Sequence, residues 1–378
     1  MLIAVAAVPV VIWLYLLFGR GGFCRVSIEH KAEQMAEHQA SSAAARRVVA
    51  VIPARNEAAV LGRALESLAP QVSHVVVIDD GSTDGTAETA RALNGNITVL
   101  EGRPLAPGWT GKLWALAQGV DYAETLAPDY LLFTDADIEH GPTSVPGLVA
   151  IAEARKLDLA SYMVKLACGT TAEKALIPAF VFFFLKLYPP KWIASECHKT
   201  AGAAGGCILI RPKPLRAIGG IAAIRKEVID DCALARAVKR GGGRIWMGLT
   251  SETRSIRSYG GLGEIGRMIS RTAFNQLHHS TVLLAGAVIG LFFTYLLPPL
   301  LLLSGAPPAM ILGAAAWLLM SAAYWPMVRF YKRSPLWSFA LPLIALFYMG
   351  ATLHSAVQYW RGQGGAWKGR AQDLRVPR

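Results

Sequence analysis

The sequence is poor in charge and lacks the common glycine-rich phosphate motifs. Charged residues make up 17% of its 378 residues and hydrophobic residues 53%, a more apolar composition than that of an average soluble protein. Neither GxGxxG nor GxxxxGK[ST] follows the first predicted strand, which disfavours a dinucleotide oxidoreductase and a P-loop NTPase. The five cysteines form no CxxC pair and are odd in number. This argues against a disulfide framework or zinc site and fits a reduced cytosolic domain.

The positive charge of the chain is concentrated beside its apolar segments. The formal net charge is +12, and Lys and Arg residues crowd the edges of the apolar runs. Such edges meet anionic lipid headgroups, to which each nearby basic side chain contributes about 1 kcal/mol. Nucleic-acid binding is disfavoured, because no basic patch carries the interleaved aromatic residues of a strand-binding surface.

Four apolar runs predict membrane segments at the two ends of the chain. Residues 1–19 are predicted to form an N-terminal transmembrane anchor, and residues 276–360 two or three C-terminal segments, since about 20 apolar residues span a bilayer. Arg20 and Arg25 follow the first run, so the positive-inside rule places the next domain in the cytoplasm. The side of the basic tail 361–378 stays open, because its charge and a third spanning segment favour opposite sides.

A further apolar run, Ala175–Leu187, lies within the middle domain and is followed by two prolines. It is interpreted as too short to span a bilayer. A buried helix and a helix dipping into the membrane surface are both open, because Lys186 and Lys191 lie beside the run.

The middle domain, residues 48–275, follows a linker at 20–47 and is predicted to alternate strands and helices. Short apolar strands such as Val48–Ile52 are followed by helical spacing, which predicts an α/β fold with a mostly parallel sheet and flanking helices. Ligands bind outside the carboxyl ends of strands in such sheets. Three polar motifs lie at three of these ends: Pro53–Glu57, Asp79–Asp80 and Asp135–Asp137.

The acidic residues have the chemistry of metal-dependent group transfer. Asp135 and Asp137 offer hard oxygen ligands that suit Mg²⁺ or Mn²⁺, although an Asp-rich turn is the alternative. Asp230 and Asp231 begin a helical pattern, so they either cap that helix or supply a general base kept ionised by the helix dipole. Glycosyl transfer requires a metal on the leaving diphosphate and a base for the acceptor hydroxyl. One base without a nucleophilic carboxylate predicts inversion.

Together these motifs resemble the family 2 glycosyltransferases of GT-A fold. The order and spacing agree over roughly Val48–Arg271, and Gly108–Lys112 and the membrane layout are similar to those of bacterial hopene-associated glycosyltransferases and, more distantly, ceramide glucosyltransferases. The resemblance implies a multi-pass protein of the bacterial inner membrane with a cytoplasmic catalytic domain. It also implies transfer of one sugar from a nucleotide-sugar, expected to be a UDP-sugar, to a membrane lipid.

The resemblance also implies roles for individual residues. The residues implied in nucleotide-sugar binding are Pro53, Arg55, Asn56, Glu57, Asp79, Asp80, Lys112, Asp135, Gly205, Gly206 and Arg271. Among them, Asp80 would bind the nucleobase, Lys112 would approach the phosphates, and Asp135 would contact the ribose or sugar. Asp137 would ligate the metal, and Asp231 would be the catalytic base.

Two motifs depart from the family pattern. Membrane polysaccharide synthases carry QxxRW before their transmembrane helices, whereas only Arg271 matches within Met268–Thr272. Transfer of a single sugar is therefore expected rather than polymer synthesis, and an exposed helix arginine is the alternative role for Arg271. Asp230 stands where the family usually has Glu.

Several alternative functions are weighed against this one. The acceptor lipid could be a hopanoid, a polyprenyl phosphate or a ceramide-like lipid. A membrane-bound sugar-nucleotidyltransferase shares an Asp-bound metal but would normally show a glycine-rich phosphate loop near the first strand. An inactive scaffold would be expected to lose Asp137 or Asp231, and both are present.

Overall fold

The chain folds into two compact units. The structure, a computed structural model, describes residues 2–25 and 46–362 and the backbone of 366–367 and 370–371. Most of the predicted linker and of the basic tail lie outside these described residues. The apolar unit comprises Met1–Val26, Cys168–Lys191 and Ser258–Gly365, and the sheet unit comprises Ser27–Ala167, Trp192–Arg257 and Ala366–Arg378.

Eight strands of the sheet unit form one mixed sheet in the order β3-β2-β1-β4-β7-β6-β8-β5. They are β1 Val48–Ala54, β2 His74–Asp79, β3 Ile97–Glu101, β4 Tyr130–Phe133, β5 Ile138–Glu139, β6 Leu159–Lys165, β7 Ile208–Ile210 and β8 Ile245–Ser255. Neighbours from β3 to β4 and the pair β6–β8 are parallel, and the remaining three pairs are antiparallel. The predicted α/β fold is confirmed, with its parallel half built from the first four strands. A separate antiparallel pair joins β9 Ala366–Trp367 and β10 Arg370–Ala371.

Helices flank the sheet and make up most of the apolar unit. In chain order they are α1 Leu2–Leu14, α2 Ala58–Leu68, α3 Thr86–Arg91, α4 Gly111–Thr125, α5 Ser144–Ala154, α6 Thr171–Leu187, α7 Pro190–Ala194, α8 Pro212–Ala217, α9 Asp230–Arg240, α10 Leu262–Gln276, α11 Thr281–Leu291, α12 Leu297–Leu301, α13 Pro307–Phe330 and α14 Leu341–Trp360. Short π-helical segments, Tyr15–Gly19 and Phe292–Leu296, follow α1 and α11.

The core of the sheet unit fixes the strand ends at which the polar motifs lie. All seven residues of β1 are buried, as expected for a parallel strand covered on both faces. Helix α4 packs very closely on this sheet at Gly119, where a Cβ would lie 2.3 Å from Ile78 Cδ1 and 2.4 Å from Val51 Cγ1. A larger residue would force α4 away from β1 and β2, and with it the first turn of α4, which carries Lys112.

The apolar unit contains helices long and apolar enough to cross a membrane. By length and composition five such segments occur among the described residues: Leu2–Gly19, Thr171–Ala194, Thr281–Leu301, Pro307–Phe330 and Pro335–Trp360. The interpretation of Ala175–Leu187 as too short to span is therefore wrong. The helical segment begins four residues earlier, where Thr170 and Glu173 form a capping box, and α7 extends it.

Several buried polar groups of the apolar unit are paired within it. The fully buried Glu173 carboxylate accepts hydrogen bonds from Gly169 N at 2.7 Å and Tyr259 N at 2.6 Å. Lys186 Nζ donates to Tyr295 Oη at 2.8 Å and lies over the same ring. Such pairing offsets the cost of removing polar groups from water.

Candidate active site

Lys112 lies in a cluster of carboxylates at the carboxyl ends of β1 and β4. Its ammonium group is 2.9 Å from Asp135 Oδ1 and 3.0 Å from Asp230 Oδ2. Three elements supply these groups, since Lys112 is in the first turn of α4, Asp135 follows β4 and Asp230 begins α9. Burial lowers the pKa of Lys112, but the charges of Asp135 and Asp230 outweigh it and raise the pKa above its usual value. Lys112 is therefore cationic at neutral pH.

Asp231 lies beside this cluster with its carboxylate held by backbone amides. Gly205 N donates to Asp231 Oδ2 at 2.9 Å, and Cys232 N donates to Asp231 Oδ1 at 2.7 Å. Burial and then repulsion from Asp230 raise the pKa of Asp231 to about 6. The expectation that the helix dipole keeps this carboxylate ionised is thus opposed by its surroundings. At pH 7 it is still mostly ionised, which suits a general base.

The two neighbouring glycines, Gly205 and Gly206, face in different directions. A Cβ on Gly205 would lie 3.4 Å from Lys112 Nζ and 3.5 Å from Asp231 Oδ2, so its open side is towards the cluster. A Cβ on Gly206 would lie 2.8 Å from Val164 Cγ2, in the core. Only Gly205 leaves space beside the charged groups, whereas Gly206 permits close packing.

A cleft opens beside the cluster and encloses about 340 Å³ of space, part of it open solvent. Its lining mixes charged and apolar side chains. The lining residues are Pro53, Lys112, Leu113, Leu116, Phe133, Thr134, Asp135, Gly205, Ile208, Ile224, Asp230, Asp231 and Leu234. Five of the residues predicted for nucleotide-sugar binding and catalysis, Pro53, Lys112, Asp135, Gly205 and Asp231, thus line one concave surface, as is usual for small-molecule sites.

The loops after β1 and β2 are joined by side-chain hydrogen bonds. Asn56, in a left-handed conformation with φ +52°, donates its backbone N–H to Ser82 Oγ at 3.0 Å and accepts from Thr83 N at 2.9 Å. Arg55 donates to the backbone carbonyl of Asp80, and its Nη1 lies 3.7 Å from Asp80 Oδ2. These contacts bring the first two predicted motifs together at one edge of the sheet.

Asp79 and Asp80 differ in their surroundings. Asp80 is 2% exposed and lies against the guanidinium of Arg55. The Asp79 carbonyl accepts a hydrogen bond from Gly102 N at 2.8 Å, and its carboxylate faces Ser82 N at 3.4 Å. Asp79 thus holds the loop after β2 and pairs with the residue that follows β3, which is a local structural role beside any contact with ligand.

Arg257 is a residue of this region that the sequence prediction missed. Its Nε lies 3.1 Å from Asp137 Oδ2, and its Nη2 hydrogen-bonds both carboxylate oxygens of Glu57. Ser255 Oγ donates to the same Asp137 oxygen at 3.0 Å. Arg257 is 120 residues from Asp137 along the chain, and no motif marks it. Its only signal is a basic residue just past the end of β8.

A buried histidine, His140, contacts the residue that precedes Asp135. His140 Nε2 lies 3.1 Å from Thr134 Oγ1, and His140 Nδ1 lies 3.2 Å from Ser144 Oγ. Thr134 Oγ1 in turn donates to the Gly206 carbonyl at 2.8 Å. Burial lowers the pKa of His140 to about 4, so the ring is neutral at physiological pH. The sequence prediction did not single out His140.

The donor set fits a divalent cation that also takes ligands from a substrate. No group of three or more His, Cys, Asp or Glu residues with metal-binding geometry occurs in the described part of the chain. Mg²⁺ is typically held by one or two carboxylates plus substrate phosphates and water. The two aspartates after β4, Asp135 and Asp137, are hard oxygen donors of that kind, and Asp137 is already matched by the cation Arg257.

Arg271 belongs to a different unit from the other predicted site residues. It is exposed on α10, which belongs to the apolar unit, whereas the remaining predicted residues belong to the sheet unit. Its role as a diphosphate contact stays a prediction.

Comparisons with known proteins agree with the motifs. Residues 49–219 match the Glycosyl transferase family 2. The chain is 38% identical over 91 residues to the 4,4'-diaponeurosporenoate glycosyltransferase of Staphylococcus haemolyticus (strain JCSC1435), which covers 24% of each chain. It is 42% identical over 91 residues to the protein of the same name from Staphylococcus aureus (strain bovine RF122 / ET3-1), over 23% of each. The chain thus spans about a quarter of the length of these curated relatives.

Solved structures give a distant likeness of fold. Glucosyl-3-phosphoglycerate synthase from Mycobacterium tuberculosis, in complex with Mn²⁺, uridine-diphosphate and glucosyl-3-phosphoglycerate, aligns at TM-score 0.43 and 20% identity over 65% of this chain and 83% of that chain. A mycobacterial protein aligns at TM-score 0.44 and 21% identity over 65% of this chain and 78% of that chain. The segment that matches the family, residues 49–219, is the one that carries the motifs after β1, β2 and β4.

Proposed function

We propose that this chain is an inverting glycosyltransferase that moves one sugar from a UDP-sugar to the hydroxyl of a membrane lipid. The observation that carries the proposal is the cluster of Lys112, Asp135, Asp230 and Asp231 around the open side of Gly205. A cation, several carboxylates and an adjacent cleft meet there at the carboxyl ends of the strands, where ligands of such sheets bind.

The nucleotide would bind over the joined loops after β1 and β2. Asp80 and Arg55 form one polar patch, and Asn56 and Glu57 complete the loop after β1. In this proposal Asp80 accepts hydrogen bonds from the nucleobase, and Pro53 lines the adjoining cleft. Asp135 contacts the ribose or sugar, next to the Lys112 ammonium.

The charge of the cleft supports a divalent cation as part of the donor complex. Among the described residues, the charged partners of the four aspartates at positions 135, 137, 230 and 231 are the two cations Lys112 and Arg257. A diphosphate brings further negative charge, so its binding here calls for additional positive charge. Mg²⁺ or Mn²⁺, held by Asp137, would supply it and act as a Lewis acid on the leaving diphosphate.

Asp231 would act as the general base. It takes the proton from the acceptor hydroxyl while the hydroxyl oxygen attacks the anomeric carbon and the bond to the diphosphate breaks. Gly205 N and Cys232 N hold its two oxygens, which fixes the carboxylate beside the cleft. Because no second carboxylate is assigned to attack the sugar, a single displacement with inversion follows.

A lipid acceptor is supported by the five apolar helical segments, which would hold the protein in the membrane. The curated relatives are named for 4,4'-diaponeurosporenoate, whereas the resemblance of the motifs suggests a hopanoid. The positive charge after α1 supports a multi-pass protein of the bacterial inner membrane with the sheet unit in the cytoplasm. A polyprenyl phosphate and a ceramide-like lipid are the competing acceptors.

A screen of radiolabelled nucleotide-sugars against bacterial membrane lipids tests the proposal. The full chain, in detergent micelles or nanodiscs with Mn²⁺, is expected to transfer label from one UDP-sugar into the lipid fraction. Asp231→Asn serves as the matched inactive control. Release of labelled sugar-1-phosphate or pyrophosphate exchange would instead indicate a nucleotidyltransferase. Absence of nucleotide-sugar binding would favour an inactive scaffold.

A further inference from the structure

The starting observation is that Arg257 joins two carboxylates from distant parts of the chain. Its Nε contacts Asp137 and its Nη2 contacts Glu57. The side chains of Glu57 and Asp137 are 11% and 14% exposed, whereas that of Arg257 is 35% exposed. The guanidinium thus contacts two sheltered carboxylates while part of its own side chain stays exposed.

A divalent cation at Asp137 would compete with this contact. The Arg257 Nε and the Ser255 hydroxyl both donate to Asp137 Oδ2. A metal ion bound to the same carboxylate would repel the guanidinium at close range. The contact with Glu57 is made by a different nitrogen, Nη2, so Arg257 can lose Asp137 and still be held near the site.

We propose that Arg257 is an exchangeable counter-ion: it neutralises Asp137 while the site is empty, and after a divalent cation binds Asp137 it contacts the donor diphosphate. This inference rests on the proposed function, because it takes the diphosphate of a nucleotide-sugar as the ligand. A planar guanidinium with parallel N–H groups is well suited to phosphate oxygens. Glu57 is the positioning residue that keeps the guanidinium in reach during the exchange.

Two other basic residues of this region, Lys112 and Arg254, have different arrangements. Lys112 lies between two carboxylates of the cluster, Asp135 and Asp230. Arg254, three residues before Arg257, pairs with Glu139 on the exposed side of β5 and β8. Its side chain is 55% exposed. Arg254 is therefore a matched control: it is close in sequence, also ion-paired, and outside the proposed site.

The first arm of the test measures Mn²⁺ affinity of the full chain without nucleotide, by titration followed with electron paramagnetic resonance. Arg257→Gln is expected to bind Mn²⁺ about tenfold more tightly than the parent, because the competing cation is gone. Arg254→Gln is expected to match the parent. Unchanged or weaker Mn²⁺ binding by Arg257→Gln overturns the inference.

The second arm measures UDP affinity at saturating Mn²⁺. Arg257→Gln is expected to bind UDP about tenfold more weakly, because a guanidinium contact with the diphosphate is lost. Arg257→Lys keeps the positive charge and is the second variant in case Arg257→Gln does not fold. It should bind Mn²⁺ with the affinity of the parent and UDP more weakly than the parent. If both variants bind UDP with the affinity of the parent, the proposed move of Arg257 from Asp137 to the diphosphate is overturned.

The two arms separate this inference from the proposed function. If Arg257→Gln binds Mn²⁺ more tightly than the parent but the parent does not bind UDP, the proposed function and the diphosphate contact are contradicted. The counter-ion pair with Asp137 then still stands. If the parent binds both Mn²⁺ and UDP, and the Arg257 variants bind them with the same affinities, only the inference is contradicted.

Discussion

Two cations occupy two ends of the same acidic region, and they differ in how their charges are balanced. Lys112 is 22% exposed and contacts Asp135 and Asp230, with Asp231 close by. Arg257 is 35% exposed and contacts Glu57 and Asp137. At the Lys112 end one cation faces three carboxylates, and burial followed by repulsion from Asp230 raises the pKa of Asp231. At the Arg257 end the cation faces two carboxylates and keeps more accessible surface, so it is the end better suited to exchange.

The largest effect is expected from Asp231→Asn at the Lys112 end. The transfer rate should fall by about 10²–10⁴-fold, because the proton acceptor for the hydroxyl is lost. Binding of UDP-sugar should persist, since Asp231 contacts backbone amides rather than the loops after β1 and β2. Rates and binding are measured on the full chain. Transfer near the parent rate would show that Asp231 is not the base.

Removal of the Lys112 charge should affect folding as well as activity. Lys112→Met leaves Asp135 and Asp230 without their cation, and breaking such a partly buried pair costs about 3 kcal/mol. Denaturant unfolding of the variant measures the loss. The exposed Lys226→Met is the control and should unfold like the parent. Equal stability of the two variants would mean that the cluster does not depend on Lys112.

Substitution of the two neighbouring glycines should separate catalysis from packing. Gly206→Ala places a methyl group 2.8 Å from Val164 Cγ2, which is expected to cost about 1–3 kcal/mol of stability. Gly205→Ala meets Lys112 and Asp231 at 3.4–3.5 Å, so it should reduce transfer with a smaller loss of stability. Thermal unfolding and transfer rates of both variants are compared. The reverse pattern would contradict the placement of Gly205 beside the reacting groups.

The pH dependence should follow the Asp231 carboxylate. Its pKa is raised to about 6 by burial and by Asp230, so the base is ionised above this pH and protonated below it. The value of kcat/KM is therefore expected to fall about tenfold for each pH unit below 6. A rate profile between pH 5 and 8 measures this. A flat profile over that range would argue against a base with a raised pKa.

The parallel half of the sheet and most of the residues around Lys112 could be predicted from the sequence. Strong apolar strands such as Val48–Ala54 end directly in polar motifs, so their common edge follows from the topology of such sheets. The antiparallel half was harder, because β7 has only three residues, Ile208–Ile210, and its pairing with β4 and β6 is long-range.

The Arg257 end was missed for a similar reason. Glu57, Asp137 and Arg257 come from three distant segments, and the arginine carries no local motif. His140 was missed because an isolated histidine gives no signal of the hydrogen bonds to Thr134 and Ser144 that it makes on burial. Such contacts depend on tertiary packing rather than on local pattern.

The anomeric configuration of the product tests the central claim most directly. Transfer from an α-linked UDP-sugar to the lipid acceptor identified in the screen can be followed by proton NMR of the anomeric coupling. A single displacement assisted by Asp231 predicts a β-linked product, with inverted configuration. A product of retained α configuration would require a second displacement or another mechanism and would contradict the assignment of Asp231 as the sole base.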